Sequence, residues 1–188
     1  MNNHEMVAVT SRSFSSNQFL VNKLKDSYAH VLLNDTGKTL SGKSLIHFLQ
    51  KADKSIIGIE DMSKNILKEL PNLKVISKYG VGLNNIDLEF CKHQGIKLGF
   101  VPGVNKQSVA EFALALILIG LKKIHQNHHQ ILDQQWPQTK GFELHKKTIG
   151  ILGFGNIGQT LATLLMPFRC KVLFFDSRNF KTQEIKEI

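Results

Sequence analysis

The sequence predicts an α/β protein built on parallel β-strands, and three observations lead to this fold class. Short apolar runs alternate with amphipathic helical segments through residues 1–102. Glycine-rich turns follow two apolar runs, at residues 78–87 and 153–158. The chain has 188 residues, of which 42% are hydrophobic and 21% charged, a composition typical of globular proteins.

Residues 1–102 contain five predicted strands separated by helices. The strands are short and rich in branched aliphatic side chains, and we place them at Val7–Thr10, His30–Asn34, Ser55–Glu60, Leu73–Ser77 and Ile96–Val101. The helices follow from apolar residues three and four positions apart, at Gln18–Tyr28, Ser41–Lys51, Ser63–Leu70 and Ile86–Gln94. Pro102-Gly103 marks a boundary, so we predict one domain at residues 1–102 and a second at residues 103–188.

A long helix is predicted directly after that boundary. Ser108 and Glu111 have the spacing of a capping box, which places the start of the helix at Ser108. The segment Phe112–Ile124 is apolar on nearly all sides, so we expect a helix buried between domains or subunits. Its longest apolar run, Phe112–Leu121, spans ten residues and is too short to cross a membrane, so no membrane partner is expected.

The stretch Thr148–Arg178 has the order strand, glycine turn, helix, strand and acid. Apolar residues at 148–152 lead into the glycine-rich segment 153–158, and a helical pattern is followed by a second apolar run at 171–175 and by Asp176. This order is typical of the dinucleotide-binding βαβ unit that begins a Rossmann domain.

The residue types in the turn suit a dinucleotide. Gly153 permits the tight turn, Gly155 lets the backbone approach a pyrophosphate, and Gly158 lets the helix pack closely on the sheet. The amides of Asn156 and Ile157 open the helix and face the phosphates. An ordinary glycine turn, or a site for flavin or another nucleotide, is the alternative interpretation.

Asp176 lies 18 residues after Gly158, at the end of the second predicted strand. A carboxylate at that position can accept hydrogen bonds from both hydroxyls of an adenosine ribose, and it repels a 2′-phosphate. The sequence therefore favours NAD over NADP as the cofactor.

A second glycine-rich loop, Lys78–Asp87, joins a predicted strand to a predicted helix. Its two glycines leave backbone amides open at the carboxyl end of the strand, where α/β proteins bind ligands, and such amides can hold a carboxylate. Lys78 adds a positive charge, and Asn85 and Asp87 are both candidate caps of the following helix. The alternative is that this loop is only a turn.

Charge and side-chain chemistry favour no other class of ligand. The net charge of +9 and the pI near 9.6 are typical of a nucleic-acid binder, but the lysines are spread along the chain, so we expect a solvated basic surface and no nucleic-acid partner. His125, His128 and His129 lie at helical spacing without a matching carboxylate or cysteine, so no metal site is expected.

Cys91 and Cys170 are interpreted as reduced core thiols, and the N-terminus has no signal-peptide pattern, so we expect a cytoplasmic protein.

Taken together, these stretches resemble the D-isomer-specific 2-hydroxyacid dehydrogenase family, and most closely its phosphoglycerate dehydrogenase-like branch. The resemblance runs in order from about Val7 to Arg178. The residues that establish it are Pro71–Ile76, Lys78–Asp87, Asn105, Ser108–Glu111, Trp136, Lys147–Gly158 and Asp176.

The resemblance implies a flavodoxin-like substrate domain followed by the first βαβ unit of a Rossmann NAD-binding domain, with the active site in the cleft between the domains. It implies that a 2-hydroxy or 2-keto acid is bound by Lys78, Tyr79, Gly80, Val81, Gly82 and Asn105. It implies that NAD is bound by Val81, Gly153, Gly155, Asn156, Ile157, Gly158 and Asp176. It also implies a homodimer joined through helices of the nucleotide domain.

In the family, a hydride passes between C2 of the substrate and the nicotinamide, an Arg clamps the carboxylate, and a His positioned by a Glu exchanges the hydroxyl proton. These three residues belong to a later part of the nucleotide domain, so none is assigned here, and we expect the 188-residue chain alone to be inactive and to bind NAD weakly. A non-catalytic NAD-binding or corepressor-like interaction module is the alternative.

Many phosphoglycerate enzymes have an Arg-Ser pair where this chain has Gly58–Asp61, and Glu60 argues against 3-phosphoglycerate as the substrate.

Overall fold

The computed structural model describes residues 2–136 and 138–177. The chain divides into two compact units, Met1–Pro102 and Gly103–Ile188. Each unit has its own parallel sheet, which confirms the predicted α/β fold class. Among the residues that the structure describes, no helix is both long and apolar enough to span a membrane.

The first unit is a five-stranded parallel sheet with helices between its strands. The strands are β1 (Asn2–Val9), β2 (Tyr28–Leu33), β3 (Lys54–Ile57), β4 (Val75–Lys78) and β5 (Lys97–Gly99). The helices are α1 (Arg12–Ser15), α2 (Gln18–Ser27), α3 (Gly42–Leu49), α4 (Lys64–Leu67) and α5 (Leu88–Gln94). The strand order is β2-β1-β3-β4-β5 and every pair is parallel, as in flavodoxin-like folds.

Apolar side chains cover both faces of this sheet. Ile56 and Ile57 are adjacent in β3 but pack in different clusters, because successive strand side chains point to opposite faces. Ile57 belongs to the larger cluster, which helices α3, α4 and α5 complete with Leu45, Leu49, Ile66, Leu67 and Cys91. Ile56 packs against the smaller cluster of Val9, Phe14 and Val21.

Parallel pairing brings the carboxyl ends of the strands to one edge of the sheet. β1 leads there into Ser11 and α1, β3 into Gly58–Asp61, and β4 into the loop that begins at Tyr79. The sequence analysis did not predict α1, because a single turn is too short to show helical periodicity. Ser11 caps it by accepting a hydrogen bond from the Phe14 N–H at 3.4 Å.

The second unit contains two long helical segments and a βαβ element. Its elements are α6 (Lys106–Leu121), α7 (Ile124–Leu132), β6 (Thr148–Leu152), α8 (Asn156–Leu165) and β7 (Lys171–Phe175). β6 and β7 pair in parallel, and α6 packs against α8. Its core is formed by Ala110, Leu144, Ile151, Leu161, Ala162, Leu165, Cys170 and Val172.

Helix α6 corrects the predicted helix start. It begins at Lys106 with Asn105 as its N-cap, so Ser108 lies inside the first turn and the capping-box prediction is wrong. The Lys106 N–H donates to the Gly103 carbonyl at 3.0 Å, and this turn leads the chain into the helix before Ser108 is reached. The helix also ends earlier than predicted, because Lys123 adopts a left-handed backbone conformation with φ 53°.

Within this chain, helix α6 is buried on one side only. One face, which includes Ala110, Leu114, Ile117 and Leu121, packs in the core of the second unit. The opposite face is exposed within this chain and presents the apolar side chains of Val109, Phe112, Leu116 and Ile119. Phe112 is 65% exposed, so burial within the chain is confined to one side of the helix.

Gly158→Ala should destabilise the second unit. A Cβ at this position would overlap the Gly153 carbonyl oxygen and approach the Ile151 side chain at 3.2 Å. We expect the free energy of unfolding in urea to fall by roughly 1–3 kcal/mol. Gly120→Ala is the matched control, because its Cβ meets nothing within 4 Å and an alanine in a helix should instead stabilise by up to about 1 kcal/mol. Equal effects of the two substitutions would contradict this close packing.

Candidate functional site

The turn between β6 and α8 folds back tightly along the small sheet. The Gly153 N–H donates to the carbonyl of Phe175 at 2.7 Å, and Gly153 has a φ of +93°, where a side chain is strained. Gly155 is the N-cap of α8, in an extended conformation. Gly158 lies over the Gly153 carbonyl with no room for a Cβ. The three glycines therefore bring the start of the helix directly onto the end of the strand.

The N-terminus of α8 provides unpaired backbone donors. The first N–H groups of a helix have no partner within the helix, and the helix dipole places partial positive charge there. Asn156 and Ile157 supply the first of these groups, and no acidic residue lies in the first turn. The Asn156 side chain lies against Gly103, where a Cβ would approach its Nδ2 at 2.7 Å. This helix end therefore suits the oxygens of a phosphate group.

Asp176 lies beside the same turn, where the sequence placed it. Its Oδ2 accepts a hydrogen bond from the Phe154 N–H at 2.7 Å. The Phe154 ring stacks on Phe174 with the ring centroids 3.9 Å apart, which anchors the turn to β7. The sequence analysis missed this bond, because the position of an acid after a strand does not reveal which amide it faces.

These features together fit a dinucleotide. The missing Cβ at position 158 allows the close helix–strand approach, Asn156 and Ile157 at the start of α8 are exposed, and an acid stands at the end of the second strand. Gly153, Gly155, Asn156, Ile157, Gly158 and Asp176 are thus brought together in one place.

The loop after β4 contains the predicted carboxylate-binding residues. It begins at Tyr79, whose N–H donates to the Ile57 carbonyl of β3 at 2.8 Å. The Tyr79 ring packs edge-on against Phe14, with the ring centroids 5.4 Å apart. Gly80 has a φ of +141°, a conformation that side chains rarely adopt, and Val81 and Gly82 follow at the surface. The loop therefore presents backbone groups at the carboxyl edge of the sheet.

Lys78 reaches from β4 toward the loop that follows β3. Its ammonium donates to the Gly58 carbonyl and to the Asn85 Oδ1, the latter at 2.7 Å. Burial away from water holds the pKa of Lys78 below its ordinary value, although the charge of Glu60 acts in the opposite direction. At least two of the three ammonium donors are therefore occupied by the protein itself.

Asn85 joins the two loops, a role that the sequence analysis did not predict. Its Nδ2 donates to the Glu60 carbonyl at 2.6 Å and to the Gly58 carbonyl at 3.3 Å. Asn85 does not cap the next helix, because Asp87 does so by accepting from the Phe90 N–H at 2.9 Å. Of the two candidate caps, Asp87 is the N-cap of α5 in the structure.

A groove of about 460 Å³ lies along the carboxyl edge of the sheet, beside Tyr79. Its walls come from the residues that follow β1, β2, β3 and β4, and include Ser11, Arg12, Gly37, Glu60 and Tyr79. Ligands of doubly wound sheets bind at this edge, where the strand order changes direction. The groove thus extends from the predicted carboxylate loop toward the ends of β3 and β1.

Asn105 belongs to the second unit and stands at the start of α6. Its side-chain Oδ1 is buried and has no hydrogen-bond partner among the described residues. A buried acceptor is normally paired, so an unpaired oxygen at this position is unusual.

Comparison with known proteins adds an independent observation. Residues 7–187 match the family model described as D-isomer specific 2-hydroxyacid dehydrogenase, catalytic domain. Hydroxypyruvate reductase of Thermotoga maritima is 33% identical over 147 residues, which cover 77% of this chain and 48% of that protein. Glycerate dehydrogenase of Hyphomicrobium methylovorum is 30% identical over 169 residues, which cover 86% of this chain and 52% of that protein.

A solved structure agrees with these relatives. The NAD-dependent formate dehydrogenase of Staphylococcus aureus, crystallised in complex with NAD, superposes with a TM-score of 0.78 at 26% identity, covering 100% of this chain and 60% of that one. The chain spans about half the length of the curated relatives it matches. The family match over residues 7–187 shows that this chain belongs to the D-isomer-specific 2-hydroxyacid dehydrogenase family.

Proposed function

We propose that this chain is part of an NAD-dependent D-2-hydroxyacid dehydrogenase, in which residues 1–102 bind the substrate and residues 103–188 bind NAD. The observation that favours this most is the βαβ turn with Asp176 fixed beside it, in a chain of this family. The relatives named hydroxypyruvate reductase and glycerate dehydrogenase support a small 2-hydroxy or 2-keto acid as substrate. The NAD complex of the formate dehydrogenase supports NAD as cofactor.

The residues of the turn between β6 and α8 would make different contacts with the cofactor. Gly153, Gly155 and Gly158 would let the backbone approach the pyrophosphate, and the amides of Asn156 and Ile157 would donate to its oxygens. Asp176 would accept hydrogen bonds from the adenosine ribose. When bound, NAD supplies the nicotinamide carbon that exchanges a hydride with C2 of the substrate.

The loop after β4 would orient the substrate. The Tyr79 N–H is bonded to Ile57, so the amides of Gly80, Val81 and Gly82 would donate to the substrate carboxylate, and the Lys78 ammonium would add positive charge near the loop. The unpaired Oδ1 of Asn105 is a further candidate contact. We assign no residue of this chain as the acid–base group, so we expect the 188-residue chain to bind ligands without turning them over.

A homodimer in the cytoplasm is the state that we propose for the protein. The exposed apolar face of α6, formed by Val109, Phe112, Leu116 and Ile119, would be covered by a second copy. The free, buried thiols of Cys91 and Cys170 agree with a reducing compartment.

Ligand binding and turnover test the proposed function separately. We expect NADH fluorescence titration to show saturable binding to the 188-residue chain, and oxamate, a carboxylate analogue of a 2-keto acid, to shift the NMR amide signals of Tyr79–Gly82. We expect no oxidation of NADH when hydroxypyruvate or glyoxylate is added. Failure to bind both NADH and oxamate would contradict the proposed sites, whereas turnover at about 1 s⁻¹ or more would contradict the expected inactivity.

Asp176→Asn should weaken the preference for NADH over NADPH. An asparagine oxygen can still accept from the Phe154 N–H, but the charge that repels a 2′-phosphate is lost. We expect the ratio of the two dissociation constants, measured by fluorescence titration, to narrow about tenfold. Asp133→Asn removes the same charge from an exposed position after α7 and should leave the ratio unchanged. An Asp176→Asn ratio equal to that of the wild type would exclude this role.

Phe112→Glu should dissociate the proposed dimer, because a carboxylate would then be buried in an apolar contact. Sedimentation velocity of the wild type should show a dimer, and the variant should shift toward the monomer. Gln107→Glu adds the same charge to the same helix at an exposed polar position and should not change the sedimentation coefficient. A wild type that remains monomeric at micromolar concentrations would contradict the assignment of α6 to a dimer contact.

A further inference from the structure

The turn that opens the second unit lies against the turn between β6 and α8, the proposed cofactor turn. Gly103 is the first residue of this unit, and a Cβ at its position would lie 2.7 Å from the Asn156 Nδ2, 2.9 Å from its Cγ and 3.3 Å from its Cβ. Gly103 also has a φ of +72°, a conformation that favours glycine. The Asn156 side chain therefore packs directly on the backbone of Gly103, in a space that only a glycine leaves open.

Gly103 belongs to a backbone turn that leads to Asn105. The Gly103 carbonyl accepts from the Lys106 N–H at 3.0 Å, and the Asn105 carbonyl accepts from the Val109 N–H at 3.1 Å. These bonds join the residues before α6 to the first turn of the helix. The Asn105 Oδ1 is buried and has no hydrogen-bond partner among the described residues. A displacement of Gly103 would therefore carry Asn105 with it.

Asn156, on the other side of this contact, is the first residue of α8. Its backbone is held in the helix, where its carbonyl accepts from the Thr160 hydroxyl at 2.8 Å. Its side-chain amide can donate two hydrogen bonds, and the residue is exposed. Rotation about the Cβ–Cγ bond moves Nδ2 but leaves Cγ in place, so the side chain leaves Gly103 only by rotating about the Cα–Cβ bond. One side-chain torsion therefore makes or breaks the contact.

We propose that Asn156 is a positioning residue that couples the cofactor turn to the turn that holds Asn105. A pyrophosphate at the start of α8 would lie beside the Asn156 side chain and restrict its torsions. The packing on Gly103 would pass this restriction to the turn formed by residues 103–106, because a ligand acts on a remote group through the contacts that it stabilises. This inference rests on the proposed function, since it assumes that NAD binds at the turn between β6 and α8.

The first test measures whether NADH binding reaches the turn at residues 103–106, and whether it does so through Asn156. We expect saturating NADH to shift the NMR amide signal of Lys106, whose N–H is bonded to Gly103, in the 188-residue chain. In Asn156→Ala this shift should fall about fivefold, because the side chain that touches Gly103 is gone. Thr163→Ala removes an exposed side chain further along the same helix and should leave the shift unchanged. Equal shifts in Asn156→Ala and Thr163→Ala would overturn the inference.

The second test adds the missing Cβ at position 103. Gly103→Ala should weaken NADH binding about fivefold in fluorescence titration, because the Cβ displaces the Asn156 side chain beside the cofactor. Gly95→Ala is the matched control, because Gly95 has nearly the same φ, +70°, but nothing lies within 4 Å of its Cβ position. It adds the backbone strain without the contact and should leave the affinity for NADH unchanged.

The double variant identifies the route of the effect. When Gly103→Ala is added to Asn156→Ala, it should weaken NADH binding by less than about twofold, because the Nδ2 and Cγ atoms that the new Cβ would meet are absent. An equal loss of affinity with and without Asn156→Ala would show that Gly103 acts by another route, and the inference would be wrong.

The remaining outcomes separate this inference from the proposed function. If the wild type binds no NADH, the proposed cofactor site is wrong and the inference falls with it. If the wild type binds NADH without a shift of the Lys106 amide signal, only the inference is wrong. This comparison needs no variant, so it stands even if Gly103→Ala does not fold.

Discussion

The candidate substrate edge of the first unit depends on hydrogen bonds that Asn85 makes between two neighbouring loops. Its side chain donates to the carbonyls of Gly58 and Glu60 and accepts from Lys78, and its carbonyl accepts from the Met62 N–H at 2.7 Å. A buried backbone carbonyl without a partner costs about 1–3 kcal/mol, so each loop needs the other to satisfy its polar groups. The loop after β4 is therefore supported by a network that itself includes no residue of Tyr79–Gly82.

In the second unit, the turn after the strand is held mainly by the shape of the backbone and not by a network of side chains. The absence of a Cβ at Gly158 lets α8 start against the end of β6. The first amides of α8, as in any helix, have no partner within the helix. The Asp176 carboxylate accepts a hydrogen bond from the Phe154 N–H. This bond fixes the position of the acid relative to the turn. In both units, hydrogen bonds within the protein hold the backbone that follows a parallel strand.

How much of the fold and of the candidate site could be predicted from the sequence depends on how far apart in the chain the interacting residues lie. Local chemistry was sufficient for the number and order of the strands and for the glycine turn, although the third strand ends at Ile57 and not at Glu60 as predicted. It was not sufficient for Asn85, whose partners lie up to 27 residues away, or for the burial of Glu60. The start of α6 was misplaced because serine three residues before glutamate is compatible with the first turn as well as with the cap. The sequence pattern alone therefore did not predict long-range hydrogen bonds or the burial of a charged side chain.

The desolvated ammonium of Lys78 has a consequence for how folding is linked to protons. Because its pKa is lowered in the folded chain, the unfolded chain binds this proton more tightly than the folded one. The contribution of Lys78 to stability therefore rises as the pH increases from the lowered pKa toward the ordinary value of 10.5. Lys74, whose hydrogen bond to Asp53 raises its pKa, has the opposite dependence, and its contribution is lost at high pH. Lys74 thus supports the fold most in its charged form, whereas Lys78 keeps its charge at a cost in folding free energy.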